Sequence, residues 1–263
     1  MLLAVDIGNT NIAFAVFSSE GSVKANFRLE TRHNKSKDEY LSSLNACLSF
    51  NDLRIEDVKD VIVSSVVPQI HYEFNEFCKK YFSIKPIYVN DNIDLIGIRI
   101  LLDKPEEVGS DRIVNAISAH QKYDDSNIIV VDFGTATTFD VIDSNGSYLG
   151  GMISPGVNLS INALQNAAAK LPEISISKPA KAIGKDTKSA MQAGIYFGYL
   201  GLIEKSISQI KQELNDNDAT IIFTGGLASY FFSPEVADEI SDDLTLNGLF
   251  IIFNKLKNRD LNV

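Results

Sequence analysis

Two short stretches carry the residues best suited to chemistry: Ala4-Val5-Asp6-Ile7-Gly8-Asn9-Thr10 and Val131-Asp132-Phe133-Gly134-Thr135-Ala136-Thr137-Thr138. Each places a carboxylate at the end of an apolar, strand-like run, a glycine two residues later, and small amide or hydroxyl residues after it. A carboxylate so placed can hold a cation or its water shell, and a Gly/Asn/Thr turn offers backbone N–H groups to phosphate oxygens. A single copy would fit an ordinary hairpin that uses Asp and Gly as turn chemistry. Here there are two. Adding 126 to the numbers of Val5, Asp6, Gly8 and Ser18 lands on Val131, Asp132, Gly134 and Ser144, and 126 is close to half of the 263-residue length. The pattern predicts a duplicated architecture that works where its halves face each other.

A third candidate is Gly109-Ser110-Asp111-Arg112, where a helix begins after a glycine. Anions are favoured at a helix N-terminus. Asp111 could accept the proton of a substrate hydroxyl there, while Arg112 pairs with a substrate carboxylate or phosphate. The same two residues also fit plain helix-start complementarity with a surface ion pair. Gly225-Gly226 closes the apolar run from Ala219 to Thr224. It suits a place beside a nucleotide base, and equally a simple strand-to-helix turn. Gly184-Lys185-Asp186-Thr187 is not a P-loop, because Pro179 stands five residues before Gly184 and Asp186 follows the lysine where Ser or Thr is needed. No Gly-x-Ser-x-Gly elbow or HExxH helix is present. His120, inside a helical pattern, fits a packing or surface role.

The elements that must position these residues follow from periodicity and turn signals. Strands are predicted over 1–7, 12–17 and 23–30, a helix over 37–50, a strand over 60–67 ended by Pro68, a helix over 69–82 and a short strand over 86–90. A helix follows Arg112, with Ile113, Ala116, Ile117 and His120 on one face. Strands are then expected over 127–133, 137–143 and 148–153, a helix from Pro155-Gly156 through Ala169, a helix over 188–214, a strand over 219–224, and apolar packing from a tail over 244–255. Three antiparallel strands followed by helix–strand–helix–strand is an α/β pattern, and the second half repeats the theme of three strands and then helices. It predicts two ribonuclease-H-like domains of the actin/sugar-kinase type, duplicated about a central cleft, over residues 1–115 and 116–263.

Composition narrows the partners. Apolar residues make up 45% and charged residues 22%, as in a globular chain with a real core, and the net charge is −10. That charge argues against nucleic-acid binding, which needs a basic footprint. Cys47 and Cys78 sit in apolar helical patterns and are expected to be buried thiols in a reducing compartment. They form no metal-ligand spacing with His33, His71 and His120. The N-terminus has no signal-peptide pattern, and the apolar stretch from Ala193 to Ile203 is too short to span a bilayer. A cytoplasmic protein with no membrane association is expected.

Taken in order, these motifs resemble the type III pantothenate kinases: Asp6-Ile7-Gly8-Asn9-Thr10, Gly109-Ser110-Asp111-Arg112, Asp132 to Thr138, Gly150-Gly151 with Pro155-Gly156, Gly184 to Thr187, Thr224-Gly225-Gly226, and Leu244 to Leu249. The resemblance runs nearly end to end. It implies the acetate and sugar kinase/Hsp70/actin fold, and transfer of the ATP γ-phosphate to pantothenate as the first step of coenzyme A synthesis. By that resemblance Asp6, Ile7, Gly8, Asn9, Thr10, Asn11, Ile12 and Ala13 cradle the ATP phosphates and Thr135 touches ATP. Asp111 is the proton acceptor, and Gly109, Ser110, Asp111, Arg112 and Thr187 bind pantothenate. Asp132 holds a monovalent cation (potassium or ammonium), and a divalent cation such as magnesium accompanies ATP. The resemblance also implies a homodimer in which Thr187 comes from the second subunit. The chain departs from the family at Asp186, where Asn is common, and at Leu102, where many members carry Tyr. A phosphotransferase acting on another small substrate, or a non-catalytic accessory protein that kept the fold, are the alternative readings.

Overall fold

The computed structural model describes residues 1–167 and 171–260. By its contacts the chain divides into two units. One comprises Met1–Arg99, Asp103–Ser118 and the C-terminal stretch from Leu244; the other comprises Ile100–Leu102 and Ala119–Asp243.

The first unit is built on β1 (Leu2–Ile7), β2 (Asn11–Phe17), β3 (Val23–Glu30), β4 (Asp60–Ser65) and β5 (Ile87–Tyr88), in the sheet order β3-β2-β1-β4-β5. The first three strands are antiparallel, and β4 and β5 are parallel additions. Alternate residues of β1 and β2 (Leu3, Val5, Ile7, Phe14, Val16) point into one core with Tyr40, Leu44 and Leu48 of α1 (Lys37–Ser49) and Phe74 and Phe77 of α2 (His71–Phe82). Each such side chain contributes about 1.5–3 kcal/mol by leaving water. Helix α1 starts where the sequence provides a full capping box: the Ser36 side chain accepts from Glu39 N, and Glu39 reaches back to Ser36 N. The short α3 (Ile93–Ile96) and then α4 (Ser110–Lys122) complete the N-terminal run.

The second unit repeats the plan. Its strands β6 (Ile128–Phe133), β7 (Ala136–Ile142), β8 (Tyr148–Pro155), β9 (Thr220–Thr224) and β10 (Glu239–Ile240) lie in the order β8-β7-β6-β9-β10, the counterpart of the first sheet. Adding 126 to the bounds of β1 gives those of β6, whereas adding 125 to those of β2 and β3 gives β7 and β8. The lost residue lies in the first turn: Gly8 N donates to Asn11 O, but Gly134 N donates to Ala136 O. Even the irregularity is duplicated, since register shifts fall between Val16 and Phe17 and between Val141 and Ile142. One face of this sheet packs on α5 (Val157–Ala167) and the long α6 (Thr187–Leu214) through Val131, Phe133, Phe139, Ile161, Tyr196 and Ile203, with Phe231 of α7 (Ala228–Phe231). The last residues of the helix expected through Ala169 lie outside the described residues.

The stretch from Leu244, expected only as a packing tail of the C-terminal half, is instead a helix of the first unit, α8 (Leu244–Asp260). It lies on β1, β2 and β4, and Phe250 stacks on Phe17 at 4.9 Å between centroids. A Cβ at Gly248 would stand 2.4 Å from Val114 O, so glycine lets α8 approach the backbone of α4. Thr245 Oγ1 donates to Asn115 Oδ1 at 2.7 Å in the same crossing. Its buried residues Leu249, Ile252 and Leu256 supply the reason for the reassignment: the outer face of β1, with Leu2 and Ala4 also buried, needs an apolar cover. Cys78 is buried as expected, but Cys47 is only partly so.

Candidate active site

In the first unit, Asp6 is the penultimate residue of β1, between Ala13 of β2 and Ser64 of β4, its register neighbours. The turn after it is braced from behind. Thr31 Oγ1 donates to Gly8 O at 2.7 Å and Thr31 N to Thr10 O at 2.9 Å. Asn9, Thr10 and Asn11 form its exposed tip, while Ile12 is buried and Ala13 half-buried behind them.

The helix start of α4 is fastened to this same strand end. Ser110, fully buried, has its hydroxyl 3.1 Å from Ser64 Oγ and accepts from Ser65 N at 3.1 Å. Ser65 Oγ in turn meets His71 Nε2 at 2.8 Å and accepts from Val67 N. Asp6 and Asp111 are therefore brought to one end of one sheet, through the chain Asp6–Ser64–Ser110–Asp111. Asp111 folds back over Gly109: a Cβ on that glycine would lie 2.5 Å from Asp111 Oδ1. The same oxygen accepts from Arg112 N at 2.8 Å. Burial pushes the Asp111 carboxyl above the usual aspartate range, opposed by the Arg112 N–H and guanidinium. A carboxylate held at a helix start with a raised pKa is a stronger base than a solvated one.

In the second unit, Asp132 is the penultimate residue of β6, with Thr138 of β7 and Thr224 of β9 as its register neighbours. Gly225 adopts φ +90°, and a Cβ there would stand 2.5 Å from Asp132 Oδ1 and 2.7 Å from Phe133 N. The first glycine of the pair thus gives up its side chain so that the carboxylate can lie against the backbone. Thr135 is exposed at the turn tip. Its carbonyl is so close to Gly156 that a Cβ would meet it at 2.2 Å, which fixes the start of α5 against the turn. Asp132 with Thr138 and Thr224 makes a row of hard oxygen donors with one carboxylate, a set that suits an alkali cation or ammonium. Among the described residues no three His, Cys, Asp or Glu side chains gather as a metal site.

Thr187 is the first residue of α6 and is exposed. The loop before it is tied to the helix by hydrogen bonds. Asp186 caps the helix by accepting from Ser189 N at 2.9 Å, and Lys185 N and Asp186 N both donate to Ser189 Oγ. Gly184 presses on Ala190 N, where a Cβ would stand at 2.3 Å. An open depression of about 660 Å³ lies here, lined by Leu164, Leu171, Lys185, Thr187, Met191 and Ile195 among others. The structure adds Ser64 and Ser65 to the candidate residues, and joins Asp140 to Thr138 of the second motif. The run Ser64-Ser65 at a strand end was the visible signal for the first. No helix among the described residues is long and apolar enough to cross a membrane.

Comparison with known proteins identifies the family. The family description "Type III pantothenate kinase" matches residues 2–209. The chain is 46% identical over 256 residues to the type III pantothenate kinase of Paramagnetospirillum magneticum, covering 97% of each. Among solved structures it is similar to a Campylobacter jejuni protein described as a Baf family transcriptional activator (TM-score 0.59, 19% identity, 99% and 100% coverage). It is also similar to the ROK hexokinase of Thermus thermophilus (TM-score 0.51, 10% identity, 100% and 99% coverage). The structural likenesses show the fold, two ribonuclease-H-like units of the sugar-kinase type, and the sequence matches show the family: the chain belongs to the type III pantothenate kinases.

Proposed function

We propose that this chain transfers the γ-phosphoryl group of ATP to the primary hydroxyl of pantothenate, giving 4'-phosphopantothenate and ADP, the first step of coenzyme A synthesis. The observation that carries it is the end-to-end family match together with a carboxylate of raised pKa at the start of α4. Phosphoryl transfer passes through a loose transition state, so the protein chiefly positions groups and neutralises charge. The pantothenate oxygen bonds to the γ-phosphorus as the bridging oxygen leaves on ADP, and Asp111 takes the hydroxyl proton late in that motion. Arg112 pairs with anionic substrate oxygens. Residues 6–13 cradle the ATP phosphates, where Asp6 would help to hold the magnesium that accompanies ATP, and Thr135 contacts the nucleotide. Gly109 and Ser110 shape the pantothenate site together with Thr187. A potassium or ammonium ion held by Asp132 would supply one fixed positive charge.

The protein works as a homodimer in this reading, with Thr187 offered to the second subunit. Support comes from exposed apolar side chains of the second unit, among them Ile183, Leu159 and Phe197. Sedimentation or light scattering showing a monomer at assay concentrations would remove that part. The activity itself is tested by ATP consumption with pantothenate, in potassium and in sodium. Turnover in potassium that needs pantothenate supports the reading. ATP and pantothenate binding without product would favour the accessory-protein alternative.

A further inference from the structure

We propose that Asp140 is a positioning residue: it fixes the hydroxyl polarity of Thr138 so that a cation at Asp132 meets lone pairs rather than a hydrogen. The proposal rests on the reading of Asp132 as the cation holder. Asp140 is fully buried on β7, on the same face as Thr138 and two residues beyond it. Thr138 Oγ1 donates to Asp140 Oδ2 at 3.0 Å, and Tyr148 OH donates to Asp140 Oδ1 at 2.7 Å. A threonine hydroxyl has one hydrogen. With that hydrogen turned to Asp140, the oxygen offers only lone pairs to its cross-strand partner Asp132, whose Cβ lies about 4.5–5.5 Å away by sheet geometry.

The other flank is set the same way by a different group. Thr224 Oγ1 donates to Ser241 O at 2.6 Å, and a carbonyl can only accept. Asp132 is thus bordered on both strands by hydroxyls that cannot donate to it. Two neutral acceptors and one carboxylate match a singly charged ion; divalent ions draw on more carboxylates or on phosphate. The duplication supplies an internal contrast. Adding 125 to Ala13 and Ala15 of β2 gives Thr138 and Asp140 of β7, so the equivalent flank of Asp6 has no oxygen to offer. The polarised row belongs to the second unit alone.

The test titrates potassium chloride at ionic strength held with choline chloride. It compares the wild type with Asp140→Asn, Thr138→Val, Thr138→Ser and Tyr148→Phe. Two readouts are taken: the potassium concentration giving half-maximal kcat, and thallium-205 NMR line broadening as Tl⁺ replaces potassium on the enzyme with ATP. Asp140→Asn and Thr138→Val should each raise the half-saturating concentration about 10- to 100-fold, the usual size of an outer-sphere effect on a bound ion, and weaken the thallium broadening. Thr138→Ser should stay near the wild type. Tyr148→Phe removes a bond to the same carboxylate without freeing the Thr138 hydrogen, so it should lower Tm and leave half-saturation in place. Wild-type potassium and thallium behaviour in Asp140→Asn overturns the proposal while the Asp132 assignment stands; should Asp140→Asn not fold, the same behaviour in Thr138→Val overturns it. A wild type indifferent to potassium and thallium removes the Asp132 assignment and the proposal with it.

Discussion

The Ser110 hydroxyl lies 3.1 Å from that of Ser64, and this contact ties the residue before Asp111 to the register neighbour of Asp6. Ser110 is fully buried and also accepts from Ser65 N. Ser110→Ala would leave that N–H without its acceptor, at about 1–3 kcal/mol. Urea denaturation should show this loss, and kcat should fall as the start of α4 loosens. Unchanged stability with unchanged kcat would mean the serine does not fasten the helix.

Gly109→Ala separates positioning from folding. Its Cβ would meet the Asp111 carboxylate at 2.5 Å, with Val66 Cγ1 next at an unstrained 3.6 Å. A carboxylate can swing aside, so Tm should hardly change. A displacement of about 1 Å at the reacting group costs about 100-fold in rate. Steady-state kinetics should show that fall in kcat with the far-UV spectrum intact; wild-type kcat would show that the observed carboxylate pose is not the working one.

Asp111→Asn should lower kcat by about 10²- to 10⁴-fold, the range for a general base. The pH profile follows from the sign of the shift. Burial raises the folded pKa above the ordinary 3.8, so the protonated form predominates to a higher pH than in a solvated aspartate. Activity should therefore fail on the acid side as pH drops through this raised value, and that limb should vanish in Asp111→Asn. Stability runs the opposite way. The folded state holds the proton more tightly than the unfolded chain, so this group's contribution is present below the unfolded pKa and is lost as pH rises through the folded one. Relative to the wild type, Asp111→Asn should thus gain stability between acid and neutral pH. A wild-type acid limb at the ordinary aspartate value, with stability differences flat in pH, would contradict the burial.

The duplication was legible because it is written in contiguous residues. Asp6 and Asp132 each follow an apolar strand and precede a glycine, and strand periodicity fixes where they end up. The serine link and the Thr138–Asp140 pair were not legible in the same way. Ser64 and Ser110 are 46 residues apart and meet only because β4 is added in parallel beside β1. Asp140 reads as one more polar residue in an alternating strand until Tyr148 and Thr138 are seen to converge on it. The place of α8 was hidden for a related reason. Its apolar residues announce burial but not against which sheet, and Gly248 explains the crossing with α4 only once Val114 is opposite it.

Asp186 carries a charge at the start of α6, and the structure gives that charge a local purpose. Its carboxylate caps α6 through Ser189 N and is held below the usual aspartate range, chiefly by the Ser189 N–H and hydroxyl. Asn and Asp are about equally good at this position. Asp186→Asn should keep the cap, the loop carrying Lys185 and Thr187, and the depression beside them. The KM for pantothenate should then change by less than about threefold, since Asn and Asp rank together as caps. Ser189→Ala is the contrasting variant, because it removes the hydroxyl to which Lys185 N and Asp186 N donate. It should raise KM with kcat largely kept, as the loop loses its brace. A tenfold drop in KM for Asp186→Asn would instead show that the carboxylate repels the anionic substrate directly, and that the cap does not shield it.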